Sequence, residues 1–220
     1  MMAPMIEGLF VVLEGIDGAG TTTQTTRLVA ALRARGLAAL GTREPSDGPI
    51  GTQIRQILTG RLVVRPSGGG CAAPAWPTQA LLFAADRVDH LESEVLPNLR
   101  DGVTVVSDRY DYSSVAYQGA ATDDPAIVAW IRAINGQARR PDLTLVLDVP
   151  AAVALDRRRR RAGRSELYEI EELQSRLADF YAGIAAHFPD DNIVHINGAR
   201  DEDAVAADIL AAVEALRARR

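Results

Sequence analysis

Leu9-Phe-Val-Val-Leu-Glu-Gly-Ile-Asp-Gly-Ala-Gly-Thr-Thr22 is the stretch that decides the fold of this chain of 220 residues. Its first five residues are continuously apolar, which is typical of a short strand buried on both faces of a parallel sheet. A glycine-rich turn follows, and a helical pattern begins near Thr22. Gly15, Gly18 and Gly20 permit turns that point backbone N–H groups inward, and the start of the helix adds a positive dipole. The stretch therefore predicts a strand, a phosphate-binding loop and a helix in succession.

The loop has the Gly-x4-Gly spacing of a P-loop, but Thr21 stands where such loops usually carry lysine. Thr22 supplies the hydroxyl that these loops offer to Mg²⁺. An alternative is a plain glycine-rich connection whose threonines only cap the helix. We expect the residues that bind phosphate groups to be Gly15, Ile16, Asp17, Gly18, Ala19, Gly20, Thr21, Thr22 and Thr23.

The basic residues of the chain are all arginine: there are 24 of them and no lysine. This excludes mechanisms that need a lysine Schiff base, a lysine general base or a phosphate-binding lysine in the loop. With 29 acidic residues the net charge is −5, so the chain lacks the overall positive field typical of non-specific nucleic-acid binding. We therefore expect no nucleic-acid partner.

Cysteine content and the N-terminus bear on location. Cys71 is the one cysteine, so an internal disulfide is impossible, which favours a cytoplasmic setting. The first apolar run, 9–13, is too short for a signal peptide or a membrane span. We expect a cytoplasmic protein with no membrane partner.

Strand and helix patterns alternate along the chain, which predicts right-handed crossovers and a parallel sheet. The fold class predicted is α/β: a three-layer, P-loop NTPase-type fold with about five strands and helices on both faces. The segment 61–77, rich in proline and glycine, is interpreted as a mobile surface loop without a functional role. After the first strand, further strands are expected at 37–42, 103–107, 143–149 and 192–196, and helices at 22–35, 50–58, 78–99, 126–135, 151–161, 165–187 and from 201.

Two pairs of residues suggest chemistry on their own. Asp108 and Arg109 follow an apolar strand, at the edge where a parallel sheet binds ligands; there they could hold Mg²⁺ and phosphate, or form a plain surface ion pair. Phe83 and Arg87 lie four apart on a predicted helix and so share one face. They would offer a stacking surface and a donor to a pyrimidine carbonyl, although Phe83 could also be ordinary core.

Five motifs occur in a fixed order between residue 10 and about residue 150, and together they resemble the thymidylate kinase family. They are Glu14-Gly-Ile-Asp-Gly-Ala-Gly20, Thr42-Arg-Glu-Pro45, Leu82-Phe-Ala-Ala-Asp-Arg87, Ser107-Asp-Arg-Tyr110 with Ser113-Ser-Val-Ala-Tyr-Gln118, and Pro141-Asp-Leu-Thr-Leu-Val-Leu-Asp148. The resemblance implies phosphorylation of dTMP to dTDP with ATP and Mg²⁺, one nucleoside monophosphate kinase domain over 1–220, a helical lid at about 151–168, and a homodimer.

The resemblance also implies roles for single residues. Asp17 would receive the sugar hydroxyl of dTMP, and Thr22 and Asp108 would hold Mg²⁺. Arg43, Arg55 and Arg109 would contact the acceptor phosphate. The dTMP-binding residues implied are Asp17, Arg43, Arg55, Phe83, Arg87, Arg109, Ser114, Tyr117 and Gln118.

A run of arginines, 157–161, precedes Arg164. Successive helical residues turn by ~100°, so no more than about two of the five can point at one ligand, and such runs are usually solvated. In the family this stretch is a lid over ATP, and some members carry a catalytic arginine there when the loop has none. The catalytic residues implied are Asp108, Arg109, Arg161 and Arg164.

Two other functions stay open from the sequence. One is a nucleotide-binding module that lost catalysis together with its lysine. The other is a related deoxynucleoside kinase or another nucleoside monophosphate kinase. The motifs around Thr42 and Asp108 favour the thymidylate branch, and the acceptor-site residues argue against an inactive module.

Overall fold

A five-stranded parallel sheet with helices on both faces forms the fold, in a computed structural model that describes residues 7–66, 69–119, 124–162 and 168–220. The strand order is β2-β3-β1-β4-β5, and each neighbouring pair is parallel. The predicted P-loop NTPase-type α/β fold is confirmed. The strands are β1 (Phe10–Glu14), β2 (Ala39–Arg43), β3 (Thr104–Asp108), β4 (Leu143–Asp148) and β5 (Ile193–Asn197).

Helices connect the strands and cover the sheet. They are α1 (Thr21–Ala34), α2 (Pro49–Leu58), α3 (Trp76–His90), α4 (Leu96–Arg100), α5 (Asp111–Ser114), α6 (Pro125–Ile134), α7 (Ala151–Ala162), α8 (Tyr168–Ala182) and α9 (Glu202–Arg217). One π-helical turn, Leu91–Val95, joins α3 to α4, and another, Val115–Gly119, follows α5. No helix in these described ranges is long and apolar enough to cross a membrane.

Sheet register brings the ends of the strands to one edge. Asp108 of β3 lies opposite Leu13 of β1 and Arg43 of β2, while Asp148 of β4 lies opposite Asn197 of β5. Because parallel strands share a carboxyl edge, the loops after all five strands open on the same side of the molecule. The site lies there.

The central strands explain why the first stretch of sequence is so apolar. β1 and β3 are buried along their whole length, with strands on both sides and helices above and below. Leu28 and Leu32 of α1 and Ile209 and Val213 of α9 are also part of this core. Burial of one continuous apolar cluster fixes the strand edge that carries the polar residues.

Several sequence-based elements differ from the structure. The helix expected over 165–187 ends at Ala182 and is followed by a 3₁₀ turn, Ile184–Ala186, while residues 165–167 lie outside the described residues. The helix expected over 78–99 begins at Trp76 and is interrupted by the π-helical turn before it ends at Arg100. The segment 111–119, for which no helix was expected, forms α5 and its π-helical turn. The loop expected to run to residue 77 ends earlier, at the start of α3, and contains an antiparallel bridge between Val64 and Ala72.

Candidate active site

The phosphate loop between β1 and α1 has the backbone that its glycines predict. Gly15, Gly18 and Gly20 have φ angles of 153°, 93° and 101°. Gly20 is the N-cap residue of α1 and carries no side chain that could cap the helix. The first backbone N–H groups of α1 therefore face the loop, and the helix dipole adds positive charge for an anion.

The loop packs directly on α7. A Cβ atom at Gly18 would lie 2.5 Å from the carbonyl oxygen of Ala154, so only glycine fits. Arg157 of α7 donates from Nη1 to the Ala19 carbonyl at 3.3 Å and from Nη2 to the Gly198 carbonyl at 2.9 Å. A cavity of about 230 Å³ opens beside this contact, and we call it the Arg157 cavity; it is lined by Gly18, Ala19, Gly20, Thr23, Gln24, Arg157, Arg160, Gly198, Arg200, Glu202 and Val205.

Thr22 and Asp108, the predicted metal ligands, lie in contact. The Thr22 hydroxyl donates to Oδ2 of Asp108 at 2.5 Å. Asp108 is 8% exposed, and among the described residues its Oδ1 atom has no hydrogen-bond partner. A hydroxyl and a buried, unpaired carboxylate oxygen are hard ligands of the kind that Mg²⁺ prefers. The donor set therefore fits the ion.

Arg109 is held across the mouth of the loop. Its φ angle of 74° is unusual for a residue with a side chain. Nη2 donates to Oδ1 of Asp17 at 2.7 Å, and Nη1 donates to the Gly15 carbonyl and to Ser113 Oγ, both at 3.1 Å. The guanidinium also lies over the ring of Tyr117, 5.4 Å from its centroid. Arg109 thus joins the phosphate loop to the residues after β3.

Glu14 holds residues next to Arg109 in place. No role of its own was predicted for it from the sequence. Its fully buried carboxylate accepts hydrogen bonds from the backbone N–H of Tyr110 at 2.7 Å and from the hydroxyls of Ser113 and Tyr181, both at 2.8 Å. Burial raises the pKa of Glu14 to about 7, although Arg109 and the donors act in the opposite direction. The carboxylate fixes Ser113, which in turn accepts from Arg109.

A second cavity, of about 440 Å³, is lined in part by Arg109, and we call it the Phe83 cavity. Both Phe83 and Arg87 line it, as their helical spacing predicts. Seven of the nine residues predicted to bind dTMP are there; Arg43 and Arg55 are not. The lining residues are Asp17, Glu44, Pro45, Leu58, Trp76, Gln79, Phe83, Arg87, Arg109, Tyr110, Ser113, Ser114, Tyr117 and Gln118.

Arg87 is buried and held by residues from other elements. Nε and Nη2 donate to Oε2 of Glu44 at 2.9 and 2.6 Å, Nη1 donates to Oδ1 of Asn135, and Nη2 lies 3.3 Å from Ser114 Oγ. Burial opposes its charge, but the Glu44 carboxylate outweighs that penalty and raises the pKa of Arg87. Most of its donors are therefore engaged within the protein.

Arg43 and Arg55 are brought together by a different residue, Asp47. Arg43 Nη2 lies 2.6 Å and Arg55 Nη2 lies 3.3 Å from Oδ1 of Asp47, and the bond from Arg43 lowers the pKa of that carboxyl. Arg55 also donates to the backbone carbonyls of Pro45, at 2.9 Å, and Ser46. The two arginines flank the turn after β2 instead of lining the Phe83 cavity.

A third opening, which we call the Thr42 groove, lies between α1 and β2. It has a volume of about 560 Å³ and includes both predicted metal ligands. Its lining residues are Thr22, Thr25, Thr26, Val29, Ala30, Arg33, Leu40, Gly41, Thr42, Arg43, Asp47, Glu94 and Asp108.

Trp76 is a lining residue that sequence reasoning missed, because the segment 61–77 was interpreted as a surface loop. It is 37% exposed at the mouth of the Phe83 cavity and packs edge-on against Trp130 of α6, with ring centroids 5.8 Å apart. Aromatic residues make up only 5% of the chain, so a tryptophan next to a predicted helix start was the available signal.

The arginines of the lid differ in their surroundings. Arg160 pairs with Asp156 at 2.8 Å and is exposed. Arg158 lies against Gly18, and its Nη1 atom is buried without a hydrogen-bond partner in the described part of the chain. Arg161 belongs to the last turn of α7, and Arg164 lies outside the described residues. Arg157 and Arg158, not singled out before, are thus the arginines next to the loop.

Fold and site together define a P-loop protein of the nucleotide-kinase class. A family model described as thymidylate kinase matches residues 13–209. The chain is 40% identical over 209 residues to a probable thymidylate kinase of Thermococcus kodakarensis, covering 94% of this chain and 98% of the relative. A probable thymidylate kinase of Pyrococcus horikoshii is 38% identical (95% and 97% covered), and a thymidylate kinase of Gluconobacter oxydans is 35% identical (94% of each). The chain belongs to the thymidylate kinase family, which confirms the resemblance.

Proposed function

We propose that this chain transfers the γ-phosphoryl group of ATP to the 5′-phosphate of dTMP, giving dTDP for the synthesis of dTTP. Family membership supports a nucleotide kinase that uses ATP. The observation that carries the proposal is Arg109, whose guanidinium bonds the phosphate loop through Gly15 and Asp17 and also lines the Phe83 cavity. A cation in that position can contact both the acceptor phosphate of dTMP and the γ-phosphate of ATP.

The acceptor nucleotide would occupy the Phe83 cavity. Phe83 offers an apolar face for the base, and Arg87 offers its remaining N–H, on Nη1, to a carbonyl oxygen of the base. Gln118 is buried, and its Oε1 atom has no partner among the described residues, so it can accept from an imide N–H of the base. Ser114, Tyr117 and Asp17 would face the sugar. Arg109 would then hold the acceptor phosphate, with Arg43 and Arg55 released from Asp47 to assist.

The donor phosphates would bind the loop from Gly15 to Thr23, with the rest of ATP in the Arg157 cavity. Thr22 and Asp108 would hold Mg²⁺. The described residues contain no cluster of three or more histidine, cysteine or acidic side chains suited to a metal, so phosphates and water would complete its shell. When bound, the ion supplies positive charge to the donor phosphates.

Besides Mg²⁺, the side chains that supply positive charge to the transferring group would be arginines, because the chain has no lysine. Arg109 would act from the acceptor side. Arg157 and Arg158 lie next to the loop, and Arg161 and Arg164 follow them in the lid; these would act from the donor side. The acceptor phosphate oxygen attacks the γ-phosphorus in line, the bond from that phosphorus to the bridging oxygen breaks and ADP leaves, while the arginines spread the developing charge.

The proposal includes several broader predictions made from the sequence. They are a single domain over 1–220, a lid at about 151–168, a homodimer, a cytoplasmic location, and no nucleic-acid or membrane partner. Light scattering on the purified chain tests the homodimer directly.

A coupled ADP-release assay with ATP, Mg²⁺ and each of dTMP, dUMP, dCMP and thymidine tests the proposal. We expect kcat/KM to be highest with dTMP and turnover with thymidine to be absent, because Arg109 then has no acceptor phosphate to bind. Highest activity with thymidine or dCMP would instead favour a related kinase. No turnover with dTMP, despite measurable ATP binding, would leave a nucleotide-binding module.

A further inference from the structure

A buried polar chain links the Phe83 cavity to the Thr42 groove. At its centre is His90, the last residue of α3, with its side chain only 2% exposed. On one side lies Glu44, which lines the Phe83 cavity, and on the other lie Thr42 and Glu94, which line the Thr42 groove. The proposed reaction gives no task to His90 or to the two groove-side residues, Thr42 and Glu94.

The hydrogen-bond partners of His90 favour its protonated form. The Thr42 hydroxyl has one proton, which it donates to Oε2 of Glu94 at 2.5 Å, so it must accept from Nε2 of His90 at 2.7 Å. Nδ1 of His90 faces Oε1 of Glu44 at 3.4 Å, and Nε2 also faces Oε2 of Glu94 at 3.1 Å. Both ring nitrogens therefore face acceptors, and only the imidazolium donates from both.

Charge balance agrees with this protonation. Glu44 receives Arg87 on Oε2 and His90 on Oε1, so two cations share one buried carboxylate, and Glu94 supplies the second negative charge. Burial opposes a charge on His90, but Glu44 and Glu94 outweigh it and raise the pKa of the imidazole. Asp47, beyond the turn after β2, also interacts favourably with the charged ring.

We propose that His90 is a positioning residue for the Phe83 cavity: as a buried imidazolium it holds the Glu44 carboxylate in place against Arg87. This rests on the proposed function, because the task of Arg87 toward the base is part of it. If His90 loses its proton, the buried Glu44 keeps Arg87 but loses the positive charge that faces its Oε1, and the partly exposed Glu94 loses its ion pair. Arg87 then loses its fixed orientation, whereas Arg109 and the phosphate loop keep theirs.

The pH dependence follows from the direction of the shift. The imidazolium is present below the raised pKa of His90 and is lost as the pH rises through it. KM for dTMP should therefore be constant at lower pH and rise about 10-fold on the alkaline side, the size of one lost charge-assisted contact. The contribution of His90 to kcat should be less than about twofold, because the phosphoryl groups lie away from Glu44. This contribution is the difference between the wild-type and His90→Gln profiles, since Glu14, whose pKa is about 7, titrates in both enzymes.

Kinetics from about pH 6 to about pH 9, at saturating ATP and Mg²⁺, measure this split. His90→Gln should raise KM for dTMP already at neutral pH and remove its pH dependence. Glu94→Gln keeps the imidazole and should move the rise in KM to lower pH, which tests the proposal even if His90→Gln fails to fold. His187→Gln is the matched control, since His187 lines none of the cavities described above, and should keep the wild-type profile.

Histidine NMR on the wild-type chain gives a readout that is independent of activity. The chain has three histidines, so the resonance of His90 is assigned by its loss in His90→Gln or by its shift in Glu94→Gln. We expect it to titrate above ~6.5. Titration at or below that value, or an unchanged KM profile in active His90→Gln enzyme, would overturn the proposal. A wild-type enzyme without dTMP turnover would overturn the proposed function itself.

Discussion

The side chain of Arg109 is fixed by hydrogen bonds to the phosphate loop and to Ser113. Its left-handed backbone is costly for a residue with a Cβ atom, by roughly 1–3 kcal/mol for such conformations, and persists only where its surroundings hold it. Here Asp17, the Gly15 carbonyl and Ser113 hold the guanidinium, and Ser113 is itself bonded to the buried Glu14. The side chain is therefore set in place before any nucleotide binds.

Substituting Arg109 tests that preorganisation. Arg109→Ala should lower kcat by about 100-fold or more, because the transferring phosphoryl group loses a cation that nothing else in the loop replaces. Arg109→Lys should recover only part of this loss, since an ammonium group cannot bond Asp17 and a phosphate in the same forked geometry. Steady-state ADP release measures both variants.

Arg35→Ala is the matched control for that experiment. Arg35 is the exposed residue directly after α1 and pairs with Glu214 at 2.7 Å, and neither residue lines a cavity described above. It should leave kcat near the wild-type value. An Arg109→Ala enzyme with kcat within a few-fold of wild type would refute the role assigned to Arg109.

At the scale of elements, the strands and the phosphate loop were predictable because their signals are local. Continuous apolar runs gave the strands to within one to two residues, and Gly15, Gly18 and Gly20 gave the loop. The sequence predicts one continuous helix over 78–99. Pro97, in α4, has no N–H to donate within a helix, and the π-helical turn Leu91–Val95 lies directly before α4.

The partners within the site were not predictable from the sequence. The spacing of Phe83 and Arg87 put both on one cavity, yet nothing local indicates that Glu44, Asn135 and Ser114 hold Arg87. Such pairings depend on how separate elements meet. The same holds for Asp47, which engages Arg43 and Arg55, the two predicted phosphate contacts that do not line the cavity.

The contact between α7 and the phosphate loop supports a prediction about ATP. Arg157→Ala removes two hydrogen bonds that tie α7 to Ala19 and Gly198. We expect KM for ATP to rise about 10-fold, with a much smaller change in KM for dTMP, because the Phe83 cavity does not involve α7. Initial rates with each substrate varied in turn separate the two constants.

Arg159→Ala, on the exposed side of the same helix, is the control for a general effect of removing positive charge. It should leave KM for ATP close to wild type. Equal changes in Arg157→Ala and Arg159→Ala would mean that the overall charge of the lid matters and that the anchoring of α7 does not.

The whole molecule arranges two cavities on either side of one loop at the carboxyl edge of the sheet. The Arg157 cavity lies on the α7 side, and the Phe83 cavity lies on the side of α3 and the segment after β3. Arg109 joins the loop to the second cavity, and the hydrogen bond from Thr22 to Asp108 joins the start of α1 to the end of β3. This is the arrangement that in-line transfer between two bound nucleotides requires.

Phosphoryl transfer itself is the central claim, and labelled ATP measures it most directly. The lysine-free chain is incubated with Mg²⁺, dTMP and ATP labelled at the γ-phosphate, and the products are separated. We predict that the label appears in the terminal phosphate of dTDP, in step with the ADP formed. Label released as inorganic phosphate, or label that stays in ATP although both nucleotides bind, would contradict the account.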